Sequence, residues 1–418
     1  MRVSFILLLF FASSCAYFIN NFDQNRLSQD ISTYKPSNKK LYCEQKSELQ
    51  LVNSNIESQK AFSNFLEKTK LKFTFADKAV LWSLIQMNLR PDLASPTSKL
   101  QIFIQTKDGF DYFHFYSKEQ SAHPYIYGLQ HILKKYKSRY SLIKLAALLD
   151  QNFPNVFTVN KDFEDFLSKN EQRIASHPLF KKEYMRADET LKENEKIPRI
   201  KLSKLIRELP KSRAKIKINE SLFEHKTDSN MIASCNYDMK LYNSSIYLIH
   251  EDFIRSHLFG IKTNQGSFLA SSTQRKVKFA PVGSSIFFKG ESQTRSAAFC
   301  SFKSPKDKDK KLWLVSSESR DPGQHIYHIL EYGIKSKTSP KEISELIAFS
   351  RHLFLEDPTR LIFESNRSSK QQLDGLLKLN LPIYNARKLG NVWAMYKDKN
   401  DHNIIIDDRT DGQITCTK

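Results

Sequence analysis

Residues 100–117 read LQIFIQTKDGFDYFHFYS. Apolar and polar side chains alternate on either side of Asp108-Gly109, so neighbouring positions face opposite ways along an extended chain. Asp-Gly supplies the backbone angles that a tight hairpin turn demands. The stretch therefore predicts two antiparallel strands in the middle of a region that otherwise reads as helix. That interruption decides the class, α+β rather than all-α.

Outward from the hairpin the pattern is helical. Phe75–Asn88 (FADKAVLWSLIQMN) is strongly apolar and is stopped by Arg90-Pro91. Glu44–Thr69 places Leu49, Val52, Ile56, Phe62, Phe65 and Leu66 at near-helical spacing. Tyr125–Lys137, Ser141–Asp150, Asp162–Ala175 and Phe180–Asn194 continue in the same manner. From Met231 the pattern changes to short apolar runs divided by turn residues: Ile246–His250, Leu258–Lys262, Val277–Ala280, Ile286–Lys289, Ala297–Phe302 and Leu312–Ser316. Helices over Gln324–Lys335, Pro340–Leu353 and Ser369–Leu379 then alternate with strands at Arg360–Glu364 and Pro382–Asn385. Asn391–Lys397 and Asn403–Asp407 close as a hairpin. The expected architecture is a mainly helical N-terminal domain, 44–195, followed by an α/β C-terminal domain with a mixed sheet, 230–418. A basic linker, 196–229, joins them.

The N-terminus carries an address. Val3–Phe11 is almost wholly apolar, but a bilayer-spanning helix takes about 20 residues. Arg2 precedes the run and Ala12, Ser13 and Ser14 follow it, the layout of a secretory signal peptide over 1–14. The segment Ala12-Ser13-Ser14-Cys15 resembles the lipobox of bacterial lipoproteins, with Ala12 standing where that family usually has Leu. The resemblance covers only the first fifteen residues or so. It implies cleavage before Cys15, diacylglycerol on its thiol and an acylated amine, and several chains make such an anchor stable. Ala16, rather than Asp, follows the Cys, which in that family favours the outer membrane. Residues 15–43, the lipidated Cys and an Asn-, Gln- and Ser-rich stretch, read as a tether.

Cysteine usage agrees with export. Beside Cys15 the chain has Cys43, Cys235, Cys300 and Cys416, an even number that suggests up to two disulfides in an oxidising compartment. Three pairings are open, and four buried thiols are the other reading. The formal net charge is +20, from 65 Lys+Arg against 45 Asp+Glu. Such a surface attracts polyanions, and in a cell envelope anionic lipid and acidic glycans come before nucleic acid. The cations concentrate in 196–218, where Arg199, Lys201, Lys204, Arg207, Lys211, Arg213, Lys215 and Lys217 surround the single acid Glu208. Leu202, Leu205, Ile206 and Leu209 could form one side of a short helix there, giving a basic amphipathic face for an anion. A solvated linker is the alternative.

Chemical motifs are mostly excluded. The eleven glycines include no GxG pair, no P-loop spacing and no GxSxG, and no HExxH is present. His325 and His328, three apart, would share a helix face and are weak candidates for a metal pair. His250-Glu251-Asp252 with His257 forms a second polar cluster near strand ends. The last sixty residues faintly resemble half of a phospholipase D-type domain, a family that uses His in HxKxxxxD. Here His402 is followed by Ile404 at the Lys position and Arg409 at the Asp position, so the resemblance implies no activity. No catalytic residue and no cofactor is assigned. The expected function is a non-catalytic envelope lipoprotein, held at the membrane by its anchor and binding an envelope protein or an anionic polymer. The alternative is an envelope hydrolase with an unfamiliar site around His325/His328, His250/Asp252 or His402.

Overall fold

The computed structural model describes residues 39–417 except 118, 120–121, 177, 210–214, 227–231, 240–247, 250–255, 274–296, 304–310, 320, 332–333, 335–338, 356–359, 369, 380, 387 and 400. Cys15 and its lipobox-like neighbours, the expected strands at Val277–Ala280 and Ile286–Lys289, and the His250-Glu251-Asp252 cluster fall outside the described residues.

Two antiparallel sheets lie face to face. The strands that build them are, in chain order, β1 (Leu49–Asn53), β2 (Lys99–Thr106), β3 (Gly109–Tyr116), β4 (Lys217–Asn219), β5 (Phe223–Lys226), β6 (Ile232–Cys235) and β7 (His257–Thr263). They continue with β8 (Gly266–Thr273), β9 (Ala297–Lys303), β10 (Lys311–Ser317), β11 (Asn391–Asp398), β12 (Asp401–Ile405) and β13 (Gln413–Thr417). The first sheet has the order β13-β1-β7-β8-β2-β3-β4 and the second β12-β11-β10-β9-β6-β5. The hairpin at Asp108-Gly109 is β2–β3, in register from Leu100↔Phe115 to Thr106↔Gly109. A separate four-stranded sheet, built from Leu248–Ile249, His352–Leu355, Arg360–Phe363 and Ile383–Asn385, mixes parallel and antiparallel pairs.

Side-chain alternation explains the layering. On the first sheet Leu100, Ile102, Ile104, Phe113, Phe115, Phe259 and Ile261 face outward into one core. Helices α1 (Ile56–Lys68), α2 (Phe75–Leu89), α3 (Pro124–Lys135) and α4 (Leu142–Asn152) cover them. Phe103, Tyr112, Leu258 and Leu269 face the other way and meet Phe299, Trp313, Val315, Trp393 and Met395 of the second sheet. The outer face of that sheet, Ala298, Cys300, Leu312, Leu314, Val392 and Ala394, is covered by Ile326 and Ile329 of the helix Pro322–Glu331 and Ile343 and Ile347 of the helix Pro340–Ala348. Helix α5 is Lys161–Lys169, α6 Leu202–Glu208, α7 Pro322–Glu331 and α8 Pro340–Ala348. The result is helix, sheet, sheet, helix. Because β7 has a layer on each face, every residue of HLFGIKT is buried.

The class is α+β, but the sheets do not divide where the linker was expected. The first sheet takes β1–β3 from 44–195, β4 from 196–229 and β7, β8 and β13 from the C-terminal region. Within 44–69 a strand, β1, precedes the helix, because Leu51 and Val52 serve opposite faces of a sheet. Helix Pro178–Tyr184 ends early, in a tight hairpin where Ala187 and Asp188 take positive φ. The basic segment is structural: α6 packs against α4, and β4 extends the sheet edge beside β3.

The four remaining cysteines pair as Cys43–Cys416 and Cys235–Cys300. The first joins the segment leading into β1 to β13, its neighbour in the sheet. A cross-link over so long a loop constrains the unfolded chain strongly. Replacing Cys43 and Cys416 together by Ser should cost about 2–5 kcal/mol, measured as a lower urea midpoint with a steeper slope, because the unfolded chain freed of the cross-link exposes more surface.

Candidate functional site

Ser256 occupies the position just before β7, a central strand flanked by β1 and β8. It stands two residues ahead of Leu258, so strand alternation gives it the face that looks into the space between the sheets. It is 2% exposed, and its Oγ has no hydrogen-bond partner among the described residues. A buried hydroxyl left unpaired costs about 1–3 kcal/mol, so such a group calls for an explanation.

Other unspent polar groups share this end of the sandwich. Ser271 lies opposite Leu258 on β8 and opposite Gln101 on β2. Gln101 Nε2 donates across the gap to the carbonyl of Ala297 at 3.3 Å, and Ala297 is paired with Ser317. Ser317 in turn faces Asn391 at the start of β11. The hydroxyls of Ser271 and Ser317 and Oδ1 of Asn391 are buried without partners among the described residues. Asn236 reinforces the bridge by donating from Nδ2 to Tyr112 Oη and Ala297 O, each at 3.1 Å. His114, on the same face of β3 as Tyr112, is pushed down to about 3 by burial and then by the Lys99 ammonium. Its imidazole is therefore neutral over the physiological range.

The rim is charged and tightly held. Glu318, the residue after β10, accepts from Asn391 Nδ2 at 2.5 Å and meets Lys388 Nζ at 3.4 Å. Behind β7, the buried guanidinium of Arg90 grips Asp92 at 3.0 and 2.9 Å and reaches Asp162 at 3.4 Å. His257 faces this helix layer, not the gap: its Nε2 lies 3.0 Å from Gln86 Oε1. Burial, then the Arg90 cation, holds it neutral.

The loop that delivers Asn391 is fixed by four buried charges. Arg351 Nη1 donates to the carbonyls of Leu389 and Gly390, both at 3.0 Å, while its Nη2 meets Asp407 at 2.5 Å. Asp407 also accepts from Val392 N at 2.8 Å and from Arg409 Nη1 at 3.1 Å. Glu364 accepts from Leu389 N and from Arg409 Nη2, each at 2.6 Å. Gly390 is needed here: its φ is +64°, and an added Cβ would stand 2.9 Å from Ser317 O. Removing one member strands the others in a dry interior, so Arg409→Met should cost about 3–5 kcal/mol in urea unfolding. Asn391 would lose its anchor with it.

The residues singled out by sequence disperse. His325 is buried at the start of α7, where its Nε2 meets Ser319 Oγ at 2.7 Å. The His328 ring stacks on His352 at 4.0 Å. No group of three His, Cys, Asp or Glu able to hold a metal occurs among the described residues. His402 pairs with Lys397 at the far end of β11, about 20 Å from Asn391 at six residues' rise. It cannot serve the same site. Arg199 donates to the carbonyls of Leu149, Asp150 and Phe153. Lys201, Lys204, Arg207, Lys215 and Lys217 are exposed, Lys204 lying 3.8 Å from Glu208. Lys211 and Arg213 lie outside the described residues. Ser256, Ser271, Ser317 and Asn391 were missed. Ser256 carries no motif, and only its place just before a predicted strand marked it.

No family model matches the chain, and no curated protein matches it. Solved structures do. Cephalosporin acylase from Bacillus halodurans superposes with a TM-score of 0.64 over 94% of this chain and 99% of that one, at 8% identity. One form of the protein LmbA2991 superposes with a TM-score of 0.65 over 92% of this chain and all of its own, at 7% identity. A looser likeness, TM-score 0.34 over 47% of this chain and 69% of the other, reaches the gamma-glutamyltranspeptidase of Helicobacter pylori and carries no argument. At these identities the likeness shows the fold. That fold, matched almost end to end with an acylase, overturns the expectation of a non-catalytic binding module.

Proposed function

We propose that this chain is an amide hydrolase of the N-terminal-nucleophile kind, with Ser256 as the nucleophile. The observation that carries the reading is the buried Oγ, unpaired among the described residues, just ahead of a central strand and facing the gap between two stacked sheets. Its support is the fold shared with an acylase.

A serine hydroxyl needs a base to attack a carbonyl. Among the described residues no His stands at hydrogen-bond distance from Ser256, and His257 is turned away to Gln86. A base becomes available if the Arg255–Ser256 peptide bond is hydrolysed. The freed α-amine then sits on the same residue as Oγ, an arrangement in which an N-terminal amine serves as base. The amine takes the Oγ proton as oxygen attacks the amide carbon. It returns that proton to the leaving amine as the C–N bond breaks, and water then releases the acyl group from Oγ. The unspent hydroxyls of Ser271 and Ser317 are the donors at hand for the negative oxygen that forms on the way. Gln101, Asn391, Glu318 and Lys388 make the surroundings polar, which suits an acyl group bearing charged or hydrogen-bonding substituents.

The address proposed for this hydrolase is the bacterial cell envelope, anchored through Cys15. The lipobox-like Ala12-Ser13-Ser14-Cys15 supports it, and so do two disulfides, which persist in oxidising compartments.

The test is N-terminal sequencing of the purified protein after reduction. A second amino terminus beginning Ser256-His257-Leu258 is the expected result. An uncut chain lacking activity on a panel of acyl-amine substrates would sink the proposal.

A further inference from the structure

The opposite end of the sandwich holds a second concavity. Its volume is about 660 Å³, and its walls are the β7–β8 turn, the β11–β12 hairpin, the β2–β3 turn and the segment before β1. Six basic side chains line it: Lys46, Lys107, Lys262, Lys397, Lys399 and His402. The only carboxylate among the lining residues is Glu48.

This is not an ordinary solvated charge run. Lys262 is on the gap-facing side of β7, is 3% exposed, and donates to the carbonyl of Ser47. His402 is held against Ser267 Oγ at 3.2 Å. Its imidazole is pushed down to about 4 by burial, then by the Lys397 and Lys262 cations. Lys46, Lys107, Lys397 and Lys399 have no carboxylate partner among the described residues. Four ammonium groups without a carboxylate partner among the described residues, with that of Lys262 beside them, repel each other across one concavity, and a bound anion would relieve that repulsion.

We propose that this concavity is a binding site for a compact, multiply charged phosphoryl group. The volume suits a small ligand rather than a macromolecular surface. A single carboxylate would leave most of the ammonium groups unbalanced, whereas a diphosphate concentrates several charges on a few oxygens. Lysine binds phosphate as a point charge without needing a planar fork. The same chemistry is offered by a soluble phosphate compound and by an anionic lipid head group, and the site lies at the pole away from Ser256. Occupancy is therefore independent of the hydrolase reading.

Calorimetric titration of the full chain with inorganic pyrophosphate tests it, beside flotation with phosphatidylglycerol vesicles and with neutral phosphatidylcholine vesicles. The expected result is micromolar pyrophosphate binding at low salt that weakens steeply as salt rises. A chain carrying Lys107→Glu and Lys399→Glu, both on exposed turns, should bind at least tenfold more weakly and keep its melting temperature. Ser256→Ala should bind as the unaltered chain does, which separates failure here from failure of the proposed chemistry. Vesicle binding displaced by pyrophosphate would identify the lipid head group as the source; pyrophosphate binding without vesicle binding would identify a soluble ligand. No binding to either, or binding indifferent to the charge reversals, would overturn the proposal.

Discussion

Ser256→Ala should abolish both chain cleavage and amide hydrolysis while leaving the protein at least as stable as before. Loss of a nucleophile in a concerted site costs roughly 10⁵-fold or more in turnover. Stability should move the other way. The hydroxyl is buried and unpaired among the described residues, so its removal relieves a desolvation penalty of about 1–2 kcal/mol and opens little space. A gain in urea midpoint with loss of function marks a site kept at the expense of stability. Ser256→Thr, which keeps both oxygen and amine, should still be cut. If Ser256→Ala retained full amide hydrolysis, the nucleophile would lie elsewhere. If it lost several kcal/mol of stability, the hydroxyl would be a structural one.

Moderate acid should destabilise the protein well before its carboxylates protonate. His257, His325 and His328 are buried, and burial holds all three far below the usual imidazole range. For His257 and His325 the nearby cations of Arg90 and Arg351 add to it; for His328 the neighbouring His352 does. His352 is itself pushed down to about 4 by burial. In the unfolded chain each takes up a proton near pH 6.5. A folded value depressed below the unfolded one means that the unfolded state binds more protons as pH falls through 6.5, so stability is full above that point and drains away below it. Each such group contributes about 1.4 kcal/mol per pH unit. The three losses add, against a stability of about 5–15 kcal/mol for a typical domain. Urea midpoints measured from pH 7.5 to 5 should fall steeply. A flat profile would mean that these rings gain a compensating partner when protonated. Asp407 adds a second, lower window: its two arginines hold its carboxyl below the usual range, so its contribution disappears only below about pH 4.

The hairpin at Asp108-Gly109, the helix at Phe75 and the β11–β12 hairpin were legible because each is local: a turn dipeptide, a long apolar run, a short alternation. What escaped was non-local. β1 reads as helix because its five residues merge with the periodicity of α1. β8 (GSFLASST) and β13 (QITCT) are hydroxyl-rich strands made stable by their neighbours, and composition alone hides them. The linker reading failed for a related reason, since a basic run looks solvated until its leucines meet α4. The site was the least visible part. Its members come from the start of β7 and from β8, β10 and β11, spread along the chain from Ser256 to Asn391, and each is an ordinary polar residue. Histidines drew attention because they can do chemistry, yet the fold uses His257, His325 and His328 as neutral packing.

The two disulfides acquire another meaning beside the proposed cut. Cys43 and Cys235 precede Ser256, whereas Cys416 and Cys300 follow it. Scission before Ser256 would leave two polypeptides stapled at two points, differing from the precursor by one water. On a gel without reductant, maturation would be invisible; with reductant, a light and a heavy band would appear. The staples would also pass any tether at Cys15 on to the half that bears the nucleophile, so that the active half stays at the surface where its leader left it.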